Sequence, residues 1–98
     1  LVENKALSKL KSELSNYTVE EAEGFVDEEL RIDLIVSQNG IERCGVQVKP
    51  LTFNLMREGV ITFNKVANAK WGKPVYYLFY DDNENFTNID EVFEQIKN

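Results

Sequence analysis

The chain has 98 residues, of which 43% are hydrophobic and 29% are charged, and its formal net charge is −6. This length and composition predict a single soluble globular domain over residues 1–98. The absence of histidine excludes Ser-His-Asp and Cys-His catalytic systems and histidine-based zinc sites. The negative charge argues against broad, non-specific attraction to nucleic acid.

The cysteine content and the apolar pattern indicate where the protein works. Cys44 is the one cysteine and cannot form an internal disulfide, which indicates a reducing compartment. No apolar run approaches the roughly 20 residues needed to span a bilayer, and no signal-peptide pattern opens the chain. We therefore expect a cytoplasmic protein without a membrane partner. The first residue is Leu1 rather than methionine, which is compatible with a fragment of a longer chain.

The first half of the chain predicts one helix and three strands. Leucines recur at helical spacing over residues 2–15 and predict an amphipathic helix. Residues 17–25 predict a short strand, followed by an acidic, solvated loop around Gly24. Residues 30–36 and 42–49 alternate apolar and polar side chains, which predicts two further strands joined by a Gln-Asn-Gly turn.

The second half predicts helix, strand and helix. One apolar face recurs at i, i+4, i+7 and i+11 and predicts a helix, through Met56, Val60, Phe63 and Ala67. The continuous apolar run over residues 75–80 predicts a strand buried on both faces. Asn88 is predicted to cap the last helix. The order α-β-β-β-α-β-α indicates an α/β fold with a mixed sheet flanked by helices.

The pairing of the two strands over residues 30–36 and 42–49 decides which side chains meet. A two-residue Asn39-Gly40 turn would bury polar groups and expose valines. A three-residue loop with Gly40 in the left-handed position buries three apolar pairs, each worth a few kcal/mol. This second register is therefore predicted, with three facing pairs: Leu30 with Val48, Ile32 with Val46, and Leu34 with Cys44.

The same register gathers polar side chains on the opposite face of the hairpin. Asp33 lies opposite Gly45, which has no side chain to block access, and Gln47 and Lys49 follow on the same face. Magnesium takes one or two side-chain oxygens together with water and phosphate. Asp33 and Gln47 would supply those oxygens, while Lys49 would orient or deprotonate a water and stabilise charge on a phosphate.

Two segments of this hairpin resemble a known family. Arg31-Ile32-Asp33-Leu34-Ile35-Val36 and Gly45-Val46-Gln47-Val48-Lys49-Pro50 are similar to the motifs of the PD-(D/E)xK phosphodiesterase superfamily. That superfamily includes restriction endonucleases and Holliday-junction resolvases. Its core of helix, three antiparallel strands, helix and strand matches the predicted order over almost the whole chain. Gln47 stands where an acidic ligand is usual, and Ile32 stands where a proline is frequent.

The resemblance implies a magnesium-dependent DNA endonuclease with a restriction-endonuclease-like core. It implies that Asp33 and Gln47, with the Val48 carbonyl, hold Mg²⁺, with Mn²⁺ as an alternative. It identifies Lys49 as the motif lysine and suggests Glu13 as a glutamate contributed by the first helix. It also implies a homodimer or an additional recognition region, because the domain is small and acidic. Lys65, Lys70 and Lys73 form the one basic stretch for contact with a DNA backbone.

Two other interpretations of the same residues stay open. In the first, a nuclease-like domain has lost its chemistry and serves DNA binding or protein interaction, as the neutral Gln47 suggests. In the second, a small unrelated α/β binding module uses Asp33 and Lys49 as a solvated ion pair, which is a common role for such residues on adjacent strands.

Overall fold

A four-stranded mixed sheet forms the centre of the computed structural model, which describes residues 1–98. Neighbouring strands are antiparallel except the last pair, which is parallel. In spatial order they are β1 (Thr18–Glu21), β2 (Leu34–Gln38), β3 (Ile41–Pro50) and β4 (Val75–Tyr80). The predicted α/β architecture with a mixed sheet flanked by helices is confirmed.

Four α-helices surround this sheet, and their order agrees with the prediction apart from one addition. They are α1 (Val2–Glu13), α2 (Gly24–Glu28), α3 (Glu58–Ala69) and α4 (Ile89–Lys97). The short helix α2 occupies the segment that was predicted to be an acidic loop. A 3₁₀ turn over Leu51–Leu55 joins β3 to α3. No helix is both long enough and apolar enough to cross a membrane.

The main hydrophobic core lies between one face of the sheet and the two terminal helices. Helix α1 contributes Ala6 and Leu10, and α4 contributes Val92 and Ile96. The remaining members come from the C-terminal end of α1 and from the strands: Leu14, Val19, Leu34, Val36, Cys44, Val46 and Leu78. Alternation along β2 and β3 places their apolar residues on this face. Cys44 is a small core residue, as predicted.

The β2–β3 hairpin differs from the predicted register. Asn39 and Gly40 both have positive φ, at 53° and 78°, so the turn has two residues. The predicted three-residue loop is wrong. A β-bulge then leaves Arg43 unpaired, since Val36 lies opposite Cys44 and Ser37 lies opposite Glu42. The bulge shifts the pairing by one residue and returns the apolar side chains to the core. Beyond it, Leu34 pairs with Val46.

The segment before β2 is not the strand that its alternation predicted. The strand begins only at Leu34, and Arg31 has a left-handed backbone with φ of 60°. Ile32 therefore packs on the other side of the sheet, in a second cluster with Ala22 and Leu30. None of the three predicted pairs, Leu30–Val48, Ile32–Val46 and Leu34–Cys44, forms. Gly45 lies opposite Ile35 rather than Asp33.

Gly45 does not leave open space for a substrate. A Cβ atom placed on it would lie 2.8 Å from Cγ2 of Ile32 and 3.2 Å from Cζ3 of Trp71. The glycine allows these two side chains to pack directly against the sheet. The space that was predicted to give access to the site is filled.

Helix α3 presents a different face to the sheet from the one predicted. Met56 precedes the helix, and the side chains of Val60 and Phe63 are 49% and 63% exposed. The face that packs on the sheet instead carries Asn64 and Asn68, together with Ala67. Polar side chains thus lie inside and apolar ones outside, contrary to the usual pattern of a surface helix.

Asn88 stands at the start of α4 but does not cap it with its side chain. Its amide instead accepts a hydrogen bond from the Phe79 N–H at 2.9 Å and donates one to the Tyr77 carbonyl at 2.8 Å. These are backbone groups on the free edge of β4. The side chain therefore takes the place of a neighbouring strand and protects that edge from pairing with another chain.

Burial of Cys44 predicts low thiol reactivity in the folded protein. Burial raises the pKa of this thiol to about 11, which lowers the thiolate fraction about 100-fold relative to a free thiol. We expect iodoacetamide at mildly alkaline pH to label the native protein far more slowly than the urea-unfolded protein, as followed by mass spectrometry. Equal labelling rates would contradict the packing of Cys44 in the main core.

Candidate active site

The candidate site lies where strands β2 and β3 separate. Pairing with β2 ends at Val46, whereas Gln47–Pro50 continue beside β4 without a β2 partner. Asp33 lies at this point of separation. Its backbone N–H donates to the Val46 carbonyl at 3.1 Å, and its carbonyl accepts from the Ala22 N–H at 2.8 Å. The backbone of Asp33 is therefore held on both sides although it lies outside β2.

The Asp33 carboxylate turns toward the unpaired stretch of β3. Its Oδ2 atom accepts a hydrogen bond from the Val48 N–H at 2.7 Å. Burial raises the pKa of Asp33, while this hydrogen bond and the charge of Lys49 act in the opposite direction. Burial dominates, so the ionised carboxylate is disfavoured relative to an exposed one. A positive charge brought to this carboxylate would relieve that cost.

The Val48 backbone also offers an oxygen at this place. The N–H and C=O groups of one strand residue point to the same side of the strand. Because the Val48 N–H meets Asp33, its carbonyl points to the same side, where β2 is missing. The direction of the backbone is thus compatible with the prediction that the Asp33 carboxylate and the Val48 carbonyl bind one cation.

Lys49 follows on the opposite face of β3 from the Val48 side chain. Its ammonium lies 5.1 Å from the centre of the Phe53 ring, a cation–π contact. Burial lowers the pKa of Lys49, the charge of Asp33 raises it, and the charge of Arg31 lowers it further. Asp33 and Lys49 are therefore electrostatic neighbours, although they form no direct ion pair.

One glutamate of α1, Glu3, interacts electrostatically with Asp33. Burial raises the pKa of Glu3, and the next largest contribution is repulsion from the Asp33 charge, followed by Asp27 and Glu21. Glu13 lies at the other end of α1, exposed and about 15 Å away along the helix axis from Glu3. The suggested role of Glu13 as the glutamate contributed by the first helix stays a prediction.

The Gln47 side chain points beneath α3, and both the nitrogen and the oxygen of its amide are hydrogen-bonded. Its Nε2 atom donates to Oδ1 of Asn64 at 3.0 Å, and its Oε1 atom accepts from Nδ2 of Asn64 at 2.8 Å. The two side chains are only 3% and 2% exposed. The amide oxygen that was predicted to bind a metal is therefore a buried partner of another amide.

This amide pair belongs to a larger buried network. Asn64 also donates to the Tyr77 hydroxyl at 2.7 Å, and that hydroxyl donates to Oδ1 of Asn68. Nδ2 of Asn68 donates to the carbonyls of Leu30 at 2.9 Å and Arg31 at 3.3 Å. The network thus links β3, β4 and α3 to the loop that precedes Asp33, and no buried side-chain polar atom is left without a partner.

The oxygen atoms at this end of the sheet agree with a magnesium ion in type. Magnesium takes one or two carboxylates and keeps several water or phosphate oxygens. Asp33 and Glu3 provide carboxylates, and Val48 provides a backbone carbonyl. No group of three acidic or cysteine side chains in the molecule is arranged to hold a metal. The residues therefore fit a loosely held ion and not a cation enclosed by protein ligands.

The predicted basic stretch lies apart from these residues. Lys65 and Lys73 line a groove of about 580 Å³ beside β4, and Lys70 is exposed at the end of α3. The ammonium of Lys73 also lies 3.8 Å from a Glu42 carboxylate oxygen and 4.7 Å from the centre of the Trp71 ring. The structure does not bring these lysines together with Asp33.

Several residues of the site region were not predicted from the sequence. Asn64 and Asn68 stand four residues apart, a spacing that places both on one helix face, and this was the available signal. Glu3 and Arg31 carry no such signal, because their positions depend on how α1 and the loop before β2 pack.

Comparison with known protein families, with curated proteins and with solved structures finds no match for this chain. Functional assignment therefore depends on the residues and their geometry.

The Gln47–Asn64 pair predicts that Gln47→Glu destabilises the fold. The change places a carboxylate opposite an amide oxygen in a buried network, so we expect a loss of about 3 kcal/mol in the free energy of unfolding. Urea denaturation measures this, with the exposed Gln95→Glu as the matched control. Unchanged stability together with tighter magnesium binding would instead show that residue 47 reaches a cation.

Asp33→Asn is expected to stabilise the protein at neutral pH. The pKa of Asp33 is raised by burial above its unfolded value, so stability falls as pH rises from the unfolded pKa through the folded one. Asparagine keeps an acceptor for the Val48 N–H without that charge. Urea denaturation should show a larger gain at neutral pH than below the carboxyl range, and an equal gain at both would contradict this account.

Proposed function

We propose that this chain is a magnesium-dependent endonuclease domain that hydrolyses DNA phosphodiester bonds, with a restriction-endonuclease-like core. The observation that supports it most directly is the grouping of the Asp33 carboxylate, the Val48 backbone and the Lys49 ammonium where β2 and β3 separate. The element order around this site also agrees with the core of the PD-(D/E)xK superfamily that its motif resembles.

The roles of these residues follow from their charges. Asp33 and Glu3, with the Val48 carbonyl, would hold the cation, which when bound supplies a positive charge to the phosphate and acidifies a water. Lys49 lies beside Asp33 and would orient the attacking water. Its ammonium would also stabilise the negative charge that develops on the phosphate oxygens. Gln47 has no direct part in this proposal.

The acidity of the chain bears on its partners. A net charge of −6 repels the DNA backbone over most of the surface. We propose that a second copy of the chain or an additional recognition region supplies further positive potential. Two sites brought together in this way would also allow both strands of a duplex to be cut.

One observation favours a second candidate function. The amide of Gln47 is buried and paired with Asn64, whereas the related motifs have an acidic ligand at this position. A nuclease-like domain that has lost catalysis and binds DNA or another protein would be free to use residue 47 in this way. This alternative requires no metal.

A plasmid-nicking assay with magnesium tests the enzymatic proposal. We expect the wild-type chain to convert supercoiled plasmid to the open form, and Lys49→Ala and Asp33→Asn to lower the rate by a factor on the order of 100 or more. Lys97→Ala is the matched control, because it removes one exposed lysine charge outside both the candidate site and the predicted basic stretch.

Two results would contradict the proposal. Nicking that persists in Lys49→Ala, or that continues in a chelator, would show that the activity does not come from this site. Magnesium binding or DNA binding without any cleavage would favour the non-catalytic alternative.

A further inference from the structure

Arg31 occupies a backbone conformation that side chains rarely adopt. Its φ is 60°, in the left-handed region that is unfavourable for residues with a Cβ atom. The loop is nevertheless held firmly, because Asn68 donates hydrogen bonds to the carbonyls of Leu30 and Arg31. Ile32, the next residue, is fully buried and its N–H donates to the Val26 carbonyl at 3.2 Å. The surrounding structure thus maintains the strained residue.

The Arg31 side chain has no carboxylate partner. The chain contains 17 acidic residues, yet the one ion pair within 4.0 Å joins Lys73 to Glu42. Arg31 is exposed and makes no hydrogen bond through its guanidinium. The group lies 5.2 Å from the centre of the Phe63 ring, which limits its freedom without using its N–H donors. Five donors therefore remain free for an external anion.

The position of Arg31 relates this free guanidinium to the candidate active site. It lies two residues before Asp33, and its positive charge is near enough to influence Lys49. Each of the two cations rests on an aromatic ring, Phe63 for Arg31 and Phe53 for Lys49. Lys49 is thus an electrostatic neighbour of both Asp33 and Arg31, and neither Lys49 nor Arg31 has its N–H donors occupied by a protein acceptor.

We propose that Arg31 binds a backbone phosphate of the DNA substrate, adjacent to the phosphodiester that Lys49 contacts. The inference takes its substrate class from the proposed function. A guanidinium is suited to this task because its planar N–H donors match two oxygens of one phosphate. Backbone strain that the fold maintains at an exposed residue is typical of functional positions.

The decisive variant is Arg31→Asn. Asparagine tolerates the left-handed backbone better than most residues, so it removes the guanidinium without loss of the loop conformation. Arg43→Asn is the matched control, since Arg43 is also exposed and lies about 17 Å along β3 from Val48. Arg31→Gly, which also accepts positive φ, serves as a second variant should the asparagine variant lose stability.

Binding is measured with a fluorescently labelled duplex DNA in a chelator, where no cleavage occurs, over a range of salt concentrations. We expect the wild-type protein to bind. The slope of log K against log salt is negative, and its magnitude should decrease by about one in Arg31→Asn, as for the loss of one phosphate contact. The slope should be unchanged in Arg43→Asn. The urea-unfolding free energy of Arg31→Asn should equal or exceed the wild-type value.

Three outcomes would overturn the inference: no DNA binding by the wild-type chain, an unchanged slope in Arg31→Asn, or an equal decrease in Arg43→Asn. The nicking assay separates this result from the fate of the proposed function. Nicking with an unchanged slope would leave the nuclease standing and remove Arg31 from it. A decreased slope without nicking would support a phosphate-binding Arg31 in a domain that does not cleave DNA.

Discussion

The reciprocal hydrogen bonds between Gln47 and Asn64 constrain the rest of this structure. Two amides buried together lose their water and must satisfy each other, since each unpaired group would cost about 1–3 kcal/mol. That requirement places α3 over β3 and β4 with a fixed side toward the sheet. Asn68, one turn further along, then meets the Leu30 and Arg31 carbonyls. The loop before Asp33 is thus held by a polar contact as well as by the burial of Leu30 and Ile32.

Because α3 turns its asparagines inward, its apolar residues are left outside. Val60, Phe63 and Val66 are each about half exposed or more, and Phe63 lies under Arg31. An apolar face would ordinarily be the buried one, since burial of apolar surface contributes about 25 cal/mol per Å². The fold forgoes this contribution on α3 and relies instead on the core formed by α1, α4 and the other face of the sheet.

The sequence allowed the element order, the mixed α/β sheet and the apolar faces of β2 and β3 to be predicted, because hydrophobic periodicity is a local signal. The predicted hairpin register was wrong because it considered only loops of two or three residues and no β-bulge. A two-residue turn followed by a bulge at Arg43 places Leu34, Cys44 and Val46 in the main core, whereas Leu30 and Ile32 pack on the other side of the sheet. The face of α3 was wrong because apolar spacing was assumed to decide it. The face of α3 is instead decided by a contact between two residues 17 apart in the chain, Gln47 and Asn64.

Two features of the site region lower the stability of the free protein. Asp33 bears a buried carboxylate whose ionised form is disfavoured, and Arg31 bears a strained backbone. Neither improves the stability of the folded chain by itself, and both are fixed by neighbours that are fully hydrogen-bonded. A cation at Asp33 would offset the cost of the buried charge, and the free guanidinium of Arg31 is suited to bind an anion. A phosphodiester accompanied by a divalent cation would supply both charges, in agreement with the nucleic-acid backbone that we propose for this end of the sheet.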